Sequence, residues 1–85
     1  MHLSFTKNFI KQSQKLNPKQ QAQLQKRLEV FLKNPLDAQL HNHQLRGSYR
    51  QYRSINITGD VRALYLTEED EAIFDIVGTH SQLYE

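Results

Sequence analysis

The chain has no cysteine and no tryptophan, and only two prolines and three glycines among 85 residues. Without cysteine, neither a disulfide nor a thiolate metal site can staple the fold. No apolar run is long enough to span a bilayer, and Met1-His2-Leu3-Ser4-Phe5 lacks the basic and apolar regions of a signal peptide. A cytoplasmic protein with no membrane role is expected. Asn56-Ile57-Thr58 matches a glycosylation acceptor, which means nothing without a secretory signal. Repeats and low-complexity segments are absent too, and the ten glutamines are dispersed.

What remains is one small domain over residues 1–85, near the size where a single core is only marginally sufficient. A partner is one source of the missing stability. The net charge of +2 conceals a strong asymmetry. Residues 1–40 carry seven Lys or Arg against two acids, and residues 41–53 carry three arginines and no acid. Residues 54–85 reverse this, with one arginine against seven acids. A basic first half fits a polyanion on that side, although lysines on a helix also serve simply as a solvated face.

His2-Leu3-Ser4-Phe5 alternates polar and apolar, as a short first strand does. Thr6 is placed to cap a helix running to about Leu16, with Phe5, Phe9, Ser13 and Leu16 on one face and Lys7, Lys11 and Lys15 on another. Asn17-Pro18 restarts the chain as cap and first helical residue. The second helix carries Leu24, Leu28, Phe31 and Leu32 on its buried stripe and stops before Asn34-Pro35. From Leu36 to Gly47 the periodicity is lost. Strands are then predicted over Tyr49–Ile57, Val61–Thr67 and Ile73–Gly78, joined by turns at Thr58-Gly59-Asp60 and Glu68-Glu69-Asp70-Glu71, with a terminal turn around Ser81–Tyr84.

The order β-α-α-β-β-β defines an α+β fold, an antiparallel sheet with an αα-hairpin packed on one face. Alternation sends Ile55 and Ile57 toward the helices and Tyr52, Ser54 and Asn56 to the open face. A two-residue loop sets Asn56 opposite Val61, a three-residue loop opposite Arg62; one residue of register turns the whole row over. The sequence leaves both open.

Chemistry-bearing residues gather in four places: His43-Gln44-Leu45-Arg46-Gly47, Tyr52-Arg53-Ser54, Gly59-Asp60-Val61-Arg62-Ala63-Leu64-Tyr65 and Gly78-Thr79-His80-Ser81-Gln82-Leu83-Tyr84. Arg46, Arg50 and Arg53 interleave with Tyr49 and Tyr52, a mixture that suits phosphates and stacked bases and is also ordinary sheet surface. His41-x-His43 offers thin grounds for a metal, and no histidine pair has helical ligand spacing. No metal or other cofactor is expected, and His2 has no evident role.

Taken in order, the four motifs resemble the RelE/ParE superfamily of bacterial toxin–antitoxin modules and, within it, the YafQ-like branch. The β-α-α-β-β-β order is similar to that superfamily's RelE-like fold along the whole chain. The resemblance implies an endoribonuclease that cleaves messenger RNA, typically on the ribosome, until an antitoxin blocks it. His43 and His80 match the branch's two flanking histidines, Asp60 its acidic residue after the hairpin turn, and Tyr84 its terminal aromatic. Arg62 matches an arginine used against the scissile phosphate. The departure is Asn56, where the branch carries a further histidine; an amide can hydrogen-bond but exchanges no proton at neutral pH.

The chemistry is intelligible on its own terms. Metal-free RNA cleavage needs a base for the ribose 2′-OH, an acid for the departing 5′-oxygen and cations around the phosphorane. His80 is the principal acid–base candidate and His43 the second. Arg62, with Arg53, would stabilise charge on phosphate, Asp60 would orient a histidine or touch the ribose, and Tyr84 would position a base. Arg46, Arg50, Arg53 and Asn56 are the expected RNA contacts. Expected partners are a cognate antitoxin, mRNA and the ribosome, with operator DNA reached only through the antitoxin. Two other readings stay open: a ParE-like toxin that binds gyrase, and a decayed noncatalytic RNA-binding module.

Overall fold

Thr6 and Asn17 start the two helices as predicted. The computed structural model describes residues 1–84, the last of them as backbone alone. The Thr6 hydroxyl accepts from Phe9 N at the head of α1 (Lys7–Gln14). Asn17 caps α2 (Pro18–Lys33) in a reciprocal box: its side chain accepts from Gln20 N while Gln20 Oε1 accepts from Asn17 N. Such a box satisfies two otherwise orphaned donors. Among the described residues no helix is long and apolar enough to cross a membrane.

The five strands are β1 (His2–Phe5), β2 (His43–Gln44), β3 (Arg53–Asn56), β4 (Val61–Glu68) and β5 (Glu71–Thr79), in the order β1-β5-β4-β3-β2. β3, β4 and β5 pair antiparallel as expected, and β2, in a stretch where no strand was expected, adds a fifth strand antiparallel to β3. The expectation of a wholly antiparallel sheet fails at the other edge, where β1 runs parallel to β5 and makes the sheet mixed. Phe5 lies opposite Phe74, and the chain then turns directly into α1, which must cross the same face that β5 presents. Only a parallel first strand delivers the chain to that end of β5.

Where β1 stops, side chains of α1 continue its work. The backbone carbonyl of Phe74 accepts from Thr6 N, that of Asp75 from Asn8 Nδ2, and Val77 N donates to Gln12 Oε1. These groups flank a bulge: Leu64 faces Ile76 and Tyr65 faces Phe74, so Asp75 is the extra residue. A bulge leaves backbone groups unpaired, and Asn8 and Gln12, one helical turn apart, supply the partners.

The core lies between the helices and one face of the sheet. Phe9, Leu24 and Phe31 meet Ile55, Ile57, Val61, Ala63, Tyr65, Ala72, Phe74 and Val77, all buried. Rings of Phe5, Phe9, Phe31, Tyr65 and Phe74 form a chain of neighbours with centroids 5.0–5.9 Å apart. Full burial of a side chain such as Phe31 contributes about 1.5–3 kcal/mol. Leu32, expected on the buried stripe, is instead 54% exposed. The less exposed residues of α2 are Gln20, Gln23, Leu24, Arg27, Leu28, Val30 and Phe31. At about 100° per residue they centre between Arg27 and Phe31, a face that takes in Val30, which packs on the core, and leaves Leu32 beyond its edge.

Two further expectations change. Tyr49–Ile57 is not one strand: the chain leaves the sheet after Gln44, makes a short 3₁₀ turn over Gly47–Tyr49 and rejoins at Arg53. Gly47 sits at φ +67°, a left-handed conformation that suits glycine. The detour lets Leu45 drop onto the outer face of the sheet, where it joins Leu64 and Leu83 in a second buried cluster flanked by Tyr49, Tyr52 and Ile76. The outer face is therefore partly covered. The terminal turn, in addition, is a short helix, α3 (His80–Tyr84).

Candidate active site

The β3–β4 turn decides what faces outward. Ile57 N donates to Val61 O, leaving Thr58-Gly59-Asp60 as a three-residue loop, and Asn56 stands opposite Arg62. Thr58 Oγ1 fixes the loop by accepting from Asp60 N and Val61 N. Since Ile55 and Ile57 are in the core, Asn56 and Arg62 lie together on the outer face. Arg62 Nη1 donates to the carbonyls of Thr58, Gly59 and Val61 at 3.0, 3.2 and 3.2 Å.

His80 arrives on the far side of Arg62. Its N–H donates to Asp60 O at 2.8 Å, tying the first residue of α3 to the turn. Thr79 and Gln82 cap that helix reciprocally: Gln82 Oε1 accepts from Thr79 N at 2.8 Å, and Thr79 Oγ1 accepts from Gln82 N at 3.3 Å. Gly78, opposite Arg62 in the ladder, is what lets α3 fold so closely over the sheet; a Cβ there would stand 2.9 Å from Gln82 Oε1. Leu83 then anchors the helix against Leu45 and Leu64.

His43 enters from β2, where it pairs with Ser54. Its Nδ1 lies 2.8 Å from the carbonyl oxygen of His41. A carbonyl only accepts, so the neutral ring carries its proton on Nδ1 and keeps the lone pair on Nε2. His41 holds that carbonyl in place from a left-handed backbone conformation, φ 46°, which is costly for a residue with a Cβ. The two imidazoles stand 5.1 Å apart.

These residues share a cavity of about 350 Å³ lined by His41, His43, Leu45, Asn56, Arg62 and His80. Its lining holds three imidazoles and a guanidinium and no carboxylate, a composition suited to an anion that undergoes proton transfer. A larger groove of about 530 Å³, between α2 and the Thr58-Gly59 turn, is lined by Lys19, Gln20, Gln23 and Arg27 among others and offers no imidazole or carboxylate. Chemistry rather than size selects the smaller cavity. Among the described residues no group of three or more His, Asp or Glu is placed to hold a metal ion.

Of the residues singled out in the sequence, His43, His80, Arg62 and Asn56 come together. Asp60 is on the exposed turn and meets His80 through its backbone carbonyl. Arg53 is on the helix side, with Nε donating to Asn42 Oδ1 at 2.8 Å, while Asn42 Nδ2 donates to Tyr65 Oη at 2.7 Å. Arg46 and Arg50 are exposed on either side of the Gly47–Tyr49 turn, outside the cavity lining. The side chain of Tyr84 lies outside the described residues. His41, weighed in the sequence only with His43 as thin grounds for a metal, also lines the cavity. The Thr79-x-x-Gln82 box went unrecognised, although Thr followed three residues later by Gln is a pattern that marks a helix start.

The fold, an αα-hairpin on one face of a mixed sheet, is shared with solved structures of YafQ, of a YoeB/ParE toxin and of a RelB–RelE antitoxin–toxin complex. Residues 1–85 match the model of the YafQ family, bacterial toxins of type II toxin–antitoxin systems, and the chain belongs to that family. Among solved structures, YafQ from Escherichia coli strain BL21(DE3) is similar at a TM-score of 0.82 and 21% identity, covering 98% of this chain and 97% of that one. A copper-bound mutant toxin from Helicobacter pylori gives 0.71 at 29% identity, with 99% of each chain covered. The E. coli DinJ–YafQ toxin–antitoxin complex gives 0.77 at 23%, covering 98% and 96%. No curated protein matches.

Proposed function

We propose that this toxin is an endoribonuclease that cleaves messenger RNA, on the ribosome, by metal-free acid–base chemistry. The observation that carries the reading is the convergence of His43, His80 and Arg62, from β2, α3 and β4, on one cavity. His43 Nε2 takes the proton of the ribose 2′-OH; the 2′-oxygen attacks phosphorus, and a 2′,3′-cyclic phosphate forms as the P–O5′ bond breaks. His80 gives a proton to the departing 5′-oxygen, though the pair can exchange these roles, and Arg62 stabilises charge on the phosphorane. Asp60 holds His80 through its carbonyl. Arg46 and Arg50 meet flanking phosphates, Arg53 stands further off on the helix side, and Tyr84 positions a base.

The partner is an antitoxin. DinJ–YafQ and RelB–RelE are toxin–antitoxin complexes of similar fold, and the basic helices here offer an acidic, initially disordered segment a surface on which to order. Operator DNA is reached through that complex, and the toxin acts in the cytoplasm. Induced expression of wild type beside His80→Ala, with primer extension on a reporter mRNA, tests the reading. Growth arrest with discrete cleavage sites in wild type alone is expected. Arrest by both without cleavage points to a gyrase-type binding toxin, and no arrest by either to a noncatalytic module.

A further inference from the structure

Asn56 Oδ1 is buried and has no hydrogen-bond partner, and it is the only such side-chain atom found among the described residues. Buried acceptors are almost always paired in the state for which a protein is built, so an orphan marks a missing donor. Its cross-strand neighbour is Arg62, and side chains directly opposed in an antiparallel pair start from Cβ atoms about 4.5–5.5 Å apart. Arg62 Nη1, with two hydrogens, is shared among the three carbonyls of Thr58, Gly59 and Val61. At least one of these contacts must be bifurcated, and the planar fork that suits a phosphate is turned onto backbone instead. A crowded donor thus stands beside an acceptor that lacks one.

We infer that Asn56 is the positioning residue for Arg62 in the RNA-bound state. When a ribose phosphodiester enters the cavity, the guanidinium leaves the turn carbonyls, donates one N–H to Asn56 Oδ1 and presents an adjacent pair to the phosphate. Asn56 acts through Arg62 and does not itself touch RNA. The inference rests on the nuclease reading for its ligand, and a binding measurement tests it separately from cleavage.

The probe is a short mRNA segment carrying 2′-fluoro in place of every 2′-hydroxyl, so that it binds without being cut. Affinities are measured by fluorescence anisotropy for wild type, Asn56→Leu, Arg62→Ala and the double variant. Arg62→Ala is expected to weaken binding about tenfold, as loss of a charge-assisted phosphate contact does. Asn56→Leu weakens it several-fold, and the double variant is no weaker than Arg62→Ala alone. Free Asn56→Leu protein melts no lower than wild type, because the amide removed had an unpaired oxygen. Should the leucine side chain prevent folding, Asn56→Ala serves in its place. Losses that multiply in the double variant would overturn the inference by showing that Asn56 meets RNA directly. Wild-type affinity in Asn56→Leu, or no RNA binding by wild type, would also overturn it. A wild type that binds the probe yet leaves its all-ribose counterpart and the reporter mRNA intact fails the nuclease reading alone.

Discussion

The Tyr52 hydroxyl donates to Asp75 Oδ2 across 2.6 Å, while Asp75 Oδ1 accepts from Thr6 Oγ1 across 2.8 Å. One carboxylate on the β5 bulge thus joins the start of β3 to the cap of α1. The hydrogen bond first, then burial and the charge of Asp75, push the Tyr52 phenol up to about 12. Because the folded value lies above the ordinary tyrosine value of about 10, the stabilisation is complete below pH 10. It is lost as the pH rises through the folded value. Ultraviolet titration should show Tyr52 ionising late, and Asp75→Asn should return it toward the ordinary tyrosine value. Tyr52→Phe should lower stability by about 1–2 kcal/mol at neutral pH.

His43→Asn separates orientation from proton transfer. The asparagine amide can still donate toward the His41 carbonyl, yet it offers no group that exchanges a proton at neutral pH. The melting temperature is expected to stay within a few degrees of wild type. Single-turnover cleavage should fall by about 10²–10⁴-fold, the usual share of a general acid or base. Retained cleavage would assign the base to another residue.

Two glycines give opposite expectations. Gly47→Ala forces a Cβ into φ +67° and should cost about 1–2 kcal/mol by urea unfolding. Gly59→Ala meets nothing within 4 Å and has no left-handed backbone; it should stay within about 0.5 kcal/mol of wild type. Equal costs at both would contradict the loop geometry.

At Gly78 an added methyl confronts Gln82 Oε1, the far end of a flexible side chain. The methyl displaces that oxygen and with it one half of the Thr79–Gln82 cap. Gly78→Ala and Gln82→Ala should therefore each cost about 0.5–1 kcal/mol, and the double variant little more than either. Additive losses in thermal melts would show that the two changes act separately.

Much of the fold was legible in the order of the residues because local signals and burial agree. Thr6 and Asn17-Pro18 mark both helix starts, and Ile55 and Ile57 face the core as alternation demands. What escaped depends on distant neighbours. The parallel partner of β1 is fixed by how α1 crosses β5, and no short-range pattern encodes that crossing. The strand expected from Tyr49 was interrupted because Leu45 needed a place on the outer face, while Tyr49 and Tyr52, which look like strand residues, pack there from a loop. In the site, His43, Arg62 and His80 could be named from the sequence. Their convergence required one fact the sequence left undecided, the three-residue loop that sets Arg62 beside Asn56.

The placement of β5 bears on when the toxin can exist during its own synthesis. Strand 71–79 lies inside the sheet between β1 and β4, and contacts such as Thr6 with Asp75 close over 69 positions. A nascent chain that has not yet extruded this strand has β1 without a neighbour, α1 without the bulge groups it pairs, and no His80. Topologies dominated by such distant pairings also fold slowly. The proposed chemistry is thereby a late product of synthesis: no fragment that stops short of residue 80 has the groups it needs.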